Sequence, residues 1–245
     1  MSVMGSNIVD EICKLCIESS KDMSWLVEPL TMSRARAYTL QHILRNRFLS
    51  AVIRPAWVSR CPDLSIVRKT IVQMQQELVY YDAIKRSHTD LLYELGRNIG
   101  LSDVEMDSAT PVPLVEAAFN IWENLARNRH WIIGWLASSV GEYIITTVPH
   151  NNFRAAQWKQ SLGLKDEDVF FFGYHEKADK DHAGCDIWEP IAKYASDEKI
   201  REDVLAGTGL ALEALKLYYR GVADLGDAMM AAPKFVTTPK LHIAT

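Results

Sequence analysis

Residues 171–182 read FFGYHEKADKDH. In a helix that advances about 100° per residue, His175, Asp179 and His182 fall within an arc of about 60°, so two imidazoles and a carboxylate share one narrow stripe. Glu176, Lys177, Lys180 and Asp181 take up the rest of the circumference and suit solvent. The stripe is left to face inward with no apolar reason to do so. Two histidines and one carboxylate are the donor set suited to a non-haem iron with open coordination positions. The plainer reading is a polar face whose histidines are merely hydrogen-bonded. Three such residues in register weigh against it.

On both sides of this stretch helical signals follow one another, and strand signals are nearly absent. Ser6 or Asn7 can cap a helix to about Ser19, with Ile8, Ile12, Leu15 and Cys16 at helical spacing. Ser33 opens a second helix through ARAYTLQHILRNRFLSAVI that Pro55 ends, and Pro62-Asp63 opens a long third one through Gln76 and Tyr81 toward His88. A helical stretch from Thr89 stops near Gly100, and a short Ser102-capped piece follows. Pro111 and Pro113 lead into VEAAFNIWENLARN, and a very apolar helix runs from about His130 to Val148, halted by Pro149. Residues 151–162, 166–182 and 187–194 read as further helices, 197–230 as one long helix or two, and the tail after Pro233 as turn-like. With no repeat, linker or low-complexity tract, the expectation is one all-α domain over residues 1–245, a bundle of seven or more helices.

Composition narrows the function classes. The 27 Lys and Arg against 31 Asp and Glu give a formal net charge of -4, which offers no electrostatic footprint for nucleic acid or an anionic membrane. Nothing about the four cysteines suggests a disulfide framework in 245 residues, and a reducing cytoplasm is the natural setting. Cys13 and Cys16 form a lone Cys-x-x-Cys with no second pair at zinc-site spacing, so they are given no role. The start lacks a basic leader and meets Asp10 and Glu11 early, so no signal peptide is expected. The most apolar window, Trp131 to Val140, is about half the length of a bilayer crossing, so no transmembrane helix is expected.

Two other segments carry ligand candidates. Glu142 has Trp135, Ser138, Ile145 and Thr146 as face neighbours in the most apolar helix, so its carboxylate is buried or nearly so and a cation must answer it. A structural Arg or Lys is one such cation, a metal another. On MQQELVYYDAIKRSH, Glu77 and His88 are eleven positions apart and point at one axis if the helix is unbroken, whereas Asp82 lies well round from Glu77 and suits solvent. Three carboxylates and three histidines exceed what a single iron or zinc needs and fit two irons. The ferritin-like form of that centre requires Glu-x-x-His. The residues three before the seven histidines are Thr39, Lys85, Arg127, Thr147, Phe172, Asp179 and Pro239, and none is Glu.

The His-x3-Asp-x2-His helix, an inward Glu some thirty residues earlier and a further Glu on a long helix resemble the haem-oxygenase-like diiron oxidases and oxygenases. These share their bundle with the PQQ-forming oxidase and the TenA-type thiaminases. The stretch NRFLSAVIRPAWVSRCPDLSIVRKTIV also looks like the corresponding region of the PQQ-forming oxidase group, and the likeness spans roughly residues 35 to 225. It implies a haem-oxygenase-like fold and the metal ligands Glu77, His88, Glu142, His175, Asp179 and His182. It further implies two Fe(II) ions that activate O2 beside a small carboxylic substrate, with no catalytic residue beyond the ligands. An amino acid is the leading substrate, and one branch of the family turns a tryptophan derivative into an indole nitrile in specialised metabolism. An external electron donor and a homodimer are among the expected partners. Family members commonly carry a His seven residues after the first Glu. Ile84 stands there in this chain, and His88 one turn later is read as reaching the metal from a shifted register. Tyr81, Ser138 and Ile145, each one turn from a proposed ligand, are the expected pocket wall. The competing readings are a metal-independent thiaminase-like hydrolase with Cys185 as its thiol, a cofactorless oxidase, and a non-enzymatic helical partner protein.

Overall fold

A computed structural model describes residues 3–23, 28–147, 154–174, 188–195 and 197–231. The described residues are helical and contain no strand. Helix α1 (Val3–Ser20) buries Ile8, Ile12 and Cys16, four apart, as one stripe. It begins ahead of Ser6 and Asn7, so neither residue caps it.

Helix α2 (Met32–Phe48) is capped by Thr31, whose hydroxyl accepts the Arg34 N–H at 3.2 Å. Contrary to expectation, Pro55 does not end it. The chain passes with helical dihedrals through a π-helical turn, Leu49–Ile53, into α3 (Arg54–Val58). In a regular helix, the Pro55 ring would clash with the carbonyl four residues back. The wider turn, in which the Arg54 N–H reaches the Leu49 carbonyl, makes room for it. Pro55 thus falls in the first turn of α3, where a missing N–H costs nothing.

Helix α4 (Leu64–Leu78) begins where expected, with the Asp63 carboxylate accepting the Ser65 N–H at 2.9 Å. It does not run on toward His88. The chain reverses over 79–87, where the Tyr81 N–H meets the Arg86 carbonyl at 2.8 Å and Lys85 takes a positive φ of 53°. Helix α5 (His88–Asn98) then starts afresh. Ser87 and Asp90 exchange side-chain and backbone hydrogen bonds as a capping box, a start signal that outweighs continuation of α4. Ser102 and Glu105 repeat the device at α6 (Asp103–Asp107).

Helix α7 (Pro113–Asn128) buries Val115, Phe119, Trp122 and Leu125 along one face, and α8 (Trp131–Thr147) is buried continuously from Trp131 to Gly141. Helix α9 (Arg154–Leu162) follows. Residues 166–169 form turns rather than the expected helix start, because the Asp168 carboxylate captures the Lys165 N–H at 2.9 Å. The helical run 170–174 comes next, then α10 (Glu189–Tyr194) and α11 (Glu198–Ala231), a single helix about 50 Å long.

Helix α11 lies against α7, α2, α8 and α1, with Val204, Ala211, Leu215, Tyr218 and Val222 on its buried stripe. The Trp122 indole N–H donates to the Ala211 carbonyl at 3.2 Å across the α7–α11 contact. Gly134 lets α8 close on α3 and α7, since a Cβ there would stand 2.7 Å from Trp57 Cβ and 2.9 Å from Ala126 Cα. Among the described residues, no helix is long and apolar enough to cross a membrane.

Candidate metal centre

The reversal between α4 and α5 brings Glu77, in the last turn of one helix, to His88, the first residue of the next. His88 Nδ1 lies 2.7 Å from Glu77 Oε2, and each side chain is about 10% exposed. The two meet through the break in the helix rather than along an unbroken one, which corrects the geometric premise for the pair. The Glu77 carbonyl, one of the free acceptors at the α4 end, receives the Thr89 hydroxyl at 3.1 Å and Asn46 Nδ2 at 3.4 Å. Helices α2, α4 and α5 are therefore tied together at this residue.

Arg54, the first residue after the π-helical turn, is the cation that the carboxylates meet. Its Nη2 donates to Glu142 Oε1 at 2.9 Å and lies 3.7 Å from Glu77 Oε1, while Nη1 donates to the Ser50 hydroxyl at 2.7 Å. The Arg54 side chain is 3% exposed. Gln73 Nε2 adds a second hydrogen bond to Glu142 Oε1 at 3.1 Å. Glu142 is less enclosed than its apolar helix suggests, with 31% of its side chain exposed. It opens onto a cavity of about 520 Å³ lined in part by Thr70, Gln73, Gln76, Trp135 and Ser139. Asp82, read as solvated, is exposed.

Aromatic groups close the other side. The His42 ring stacks on His88 with centroids 5.8 Å apart, and Tyr38 stacks on His42 at 4.8 Å. Phe171 stands edge-on to His88 at 5.0 Å. Tyr81 is buried edge-on against Tyr174, the residue before His175, at 5.0 Å. Ser138 turns its hydroxyl to the Trp135 carbonyl, and it is the neighbouring Ser139 that lines the cavity. The side chain of Ile145 lies outside the described part, as do His175, Asp179, His182 and Cys185.

Among the described residues, no three His, Cys, Asp or Glu side chains are grouped to hold a metal ion. What is gathered is one imidazole and two carboxylates around a shared guanidinium. Helix periodicity calls for a cation at Glu142 but does not single out Arg54, nor Asn46, Gln73 and His42. The signal for Arg54 was present in Ser50-x3-Arg54-Pro55, a polar pair one turn apart beside a proline in mid-helix.

The architecture is haem-oxygenase-like. A crystal structure of a domain of unknown function with that fold from Shewanella denitrificans superposes with a TM-score of 0.67 at 13% identity, covering 93% of this chain and 92% of that one. The chain belongs to the family of iron-containing redox enzymes, whose sequence model matches residues 41–216. It is also similar to the 4-aminobenzoate synthase of Nitrosomonas europaea, at 23% identity over 211 residues, covering 82% of this chain and 83% of the relative.

Proposed function

We propose that the protein is a non-haem diiron, O2-dependent oxidase or oxygenase of a small carboxylic substrate, with an amino acid as the leading class. Membership of a family of iron-containing redox enzymes supports the iron. The observation that carries the reading is that Glu77 and Glu142, from two different helices, are brought to one place with the His88 imidazole 2.7 Å from Glu77. Such a cluster is built to neutralise concentrated positive charge, and carboxylate with imidazole is a donor set that fits iron.

Glu77, His88 and Glu142 would hold the metal together with His175, Asp179 and His182. When bound, the two Fe(II) ions supply the electrons that reduce dioxygen. The chain's own groups do the rest. His88 Nδ1 lies 2.7 Å from Glu77 Oε2, and the neutral tautomer protonated on Nδ1 would carry its lone pair on Nε2, the form a ligand needs. Arg54 and Gln73 fix the Glu142 carboxylate, and the rings of His42 and Phe171 keep water from the His88 side. Phe171 on His88 and Tyr174 on Tyr81 bring the chain to this cluster just before His175, which supports a shared centre.

The Nitrosomonas relative is named for making a small aromatic carboxylate that bears an amino group, which supports a small carboxylic molecule at the site. A tryptophan derivative converted to a nitrile is the finest form of the proposal. Oxygen uptake by anaerobically iron-loaded protein, screened against free amino acids, tryptophan derivatives and fatty acids, tests it. One acid class should accelerate uptake well above the substrate-free rate, and no acceleration by any of them would overturn it. A second reading, a metal-independent hydrolase or cofactorless oxidase on the same fold, is favoured by one observation: Arg54 already supplies a cation to both carboxylates. Iron content separates the two.

A further inference from the structure

Arg45 of α2 and Arg154 of α9 are buried in the bundle core, 6% and 8% exposed. Among the described residues, the hydrogen-bond partners of Arg154 are two phenols, Tyr38 at 3.0 Å and Tyr219 at 3.3 Å. Arg45 faces two aromatic rings, with its Cζ 5.6 Å from the Trp122 centroid and 5.5 Å from that of Tyr218, and its Nε has no hydrogen-bond partner among the described residues. Both guanidinium groups act on Tyr38 and Tyr218, so they belong to one cluster. Among the described residues no carboxylate pairs with either of them, and burial outweighs the arginines and pushes the Tyr38 and Tyr218 phenols above their usual range, so both stay neutral.

Buried charge is normally paired, and ring faces with neutral hydroxyls compensate a guanidinium only in part. Two buried guanidinium groups that share one set of aromatic neighbours, with no carboxylate paired to either among the described residues, are suited to hold an anion. Its position is informative. The Tyr218 hydroxyl lies 3.4 Å from His42 Nδ1, and His42 stacks between Tyr38 and His88, so the cluster begins one ring beyond the candidate metal ligand. Gly141, next to Glu142, faces Arg45 without a side chain, and a Cβ there would lie 2.6 Å from Nη2.

We propose that Arg45 and Arg154 form a carboxylate-binding subsite that takes the acid group of a small aromatic acid, whose ring the surrounding tyrosine and tryptophan faces accept. That this acid is the substrate rests on the oxygenase reading; the anion site itself does not.

Isothermal titration of the metal-free, full-length protein with benzoate and with its neutral isostere benzamide tests the subsite. Benzoate should bind about ten-fold or more tightly than benzamide, because a site built for charge rejects the analogue that lacks it. Arg45→Met and Arg154→Met should each weaken benzoate about ten-fold or more and leave benzamide unchanged. Equal binding of the two probes, binding of neither, or full benzoate affinity in both variants overturns the proposal. The wild-type comparison decides alone if a variant fails to fold. Since no iron is involved, benzoate binding by a protein that takes up no iron would sink the oxygenase reading and leave the subsite standing.

Discussion

His88 Nδ1 stands 2.7 Å from Glu77 Oε2 across a chain reversal, and the capping box at Ser87 sets where the second of the two helices begins. The pair is therefore only as well positioned as that cap. Ser87→Ala removes the hydroxyl that accepts the Asp90 N–H and should cost about 1 kcal/mol of stability in urea denaturation. It should also weaken metal binding, since His88 is the first residue of the frayed turn. Unchanged metal affinity in a destabilised variant would detach the cap from the centre.

Arg54 holds two carboxylates in a largely enclosed place. In the metal-free protein, Arg54→Met leaves Glu77 and Glu142 without their shared cation. Breaking a buried ion pair costs about 3–5 kcal/mol, and the partial exposure of Glu142 reduces this to about 2. Urea denaturation with and without divalent iron checks it: iron should recover part of the loss. A variant as stable as the parent would show that the carboxylates are not held against one another.

The thiols should differ sharply in reactivity. Burial, with Cys13 close by, pushes the Cys16 thiol up to about 12, so at pH 8 it is protonated as well as enclosed. Timed alkylation read by mass spectrometry should modify the half-buried Cys13 and leave Cys16 intact until the chain unfolds. Equal rates in the folded protein would contradict the packing of α1.

Asp63 joins α4 to α10. Its carboxylate caps α4 and accepts hydrogen bonds from Lys193 and the Tyr194 hydroxyl, each at 2.8 Å, and these bonds, that from Lys193 foremost, hold its pKa well below the usual carboxylate range. A carboxyl whose folded value is lowered stabilises the fold fully above its unfolded value of about 3.9, and the gain fades as pH falls through the folded value. The thermal stability gap between the parent and Asp63→Asn should hence be constant from neutral pH down to about 5, then close in stronger acid. A gap that widens with acid would show the wrong sign.

The order of the helices is legible where local signals stand out: Asp63 and Ser102 cap where the sequence places them, whereas Thr31 rather than Ser33 caps α2. What escaped was local competition. Pro55 reads as a stop, yet one π-helical turn absorbs it, since the flanking residues are buried on both sides and packing holds the helix together. The stretch VYYDAIKRSHTD reads as helix until the Ser87–Asp90 box is weighed against it. Glu77 and His88 were rightly paired for a reason the chain does not use. Arg54 was missed because periodicity shows which face a residue takes, not which partner from another helix meets it there.

The central claim is that acid and imidazole groups from separate helices share one iron-binding centre. Iron counted per chain after anaerobic loading with Fe(II) and removal of excess tests it most directly. The account predicts close to two per chain for the parent, and at most about one for Glu77→Gln, Glu142→Gln or Asp179→Ala. Iron-free parent protein, or variants that bind as much as the parent, would contradict it.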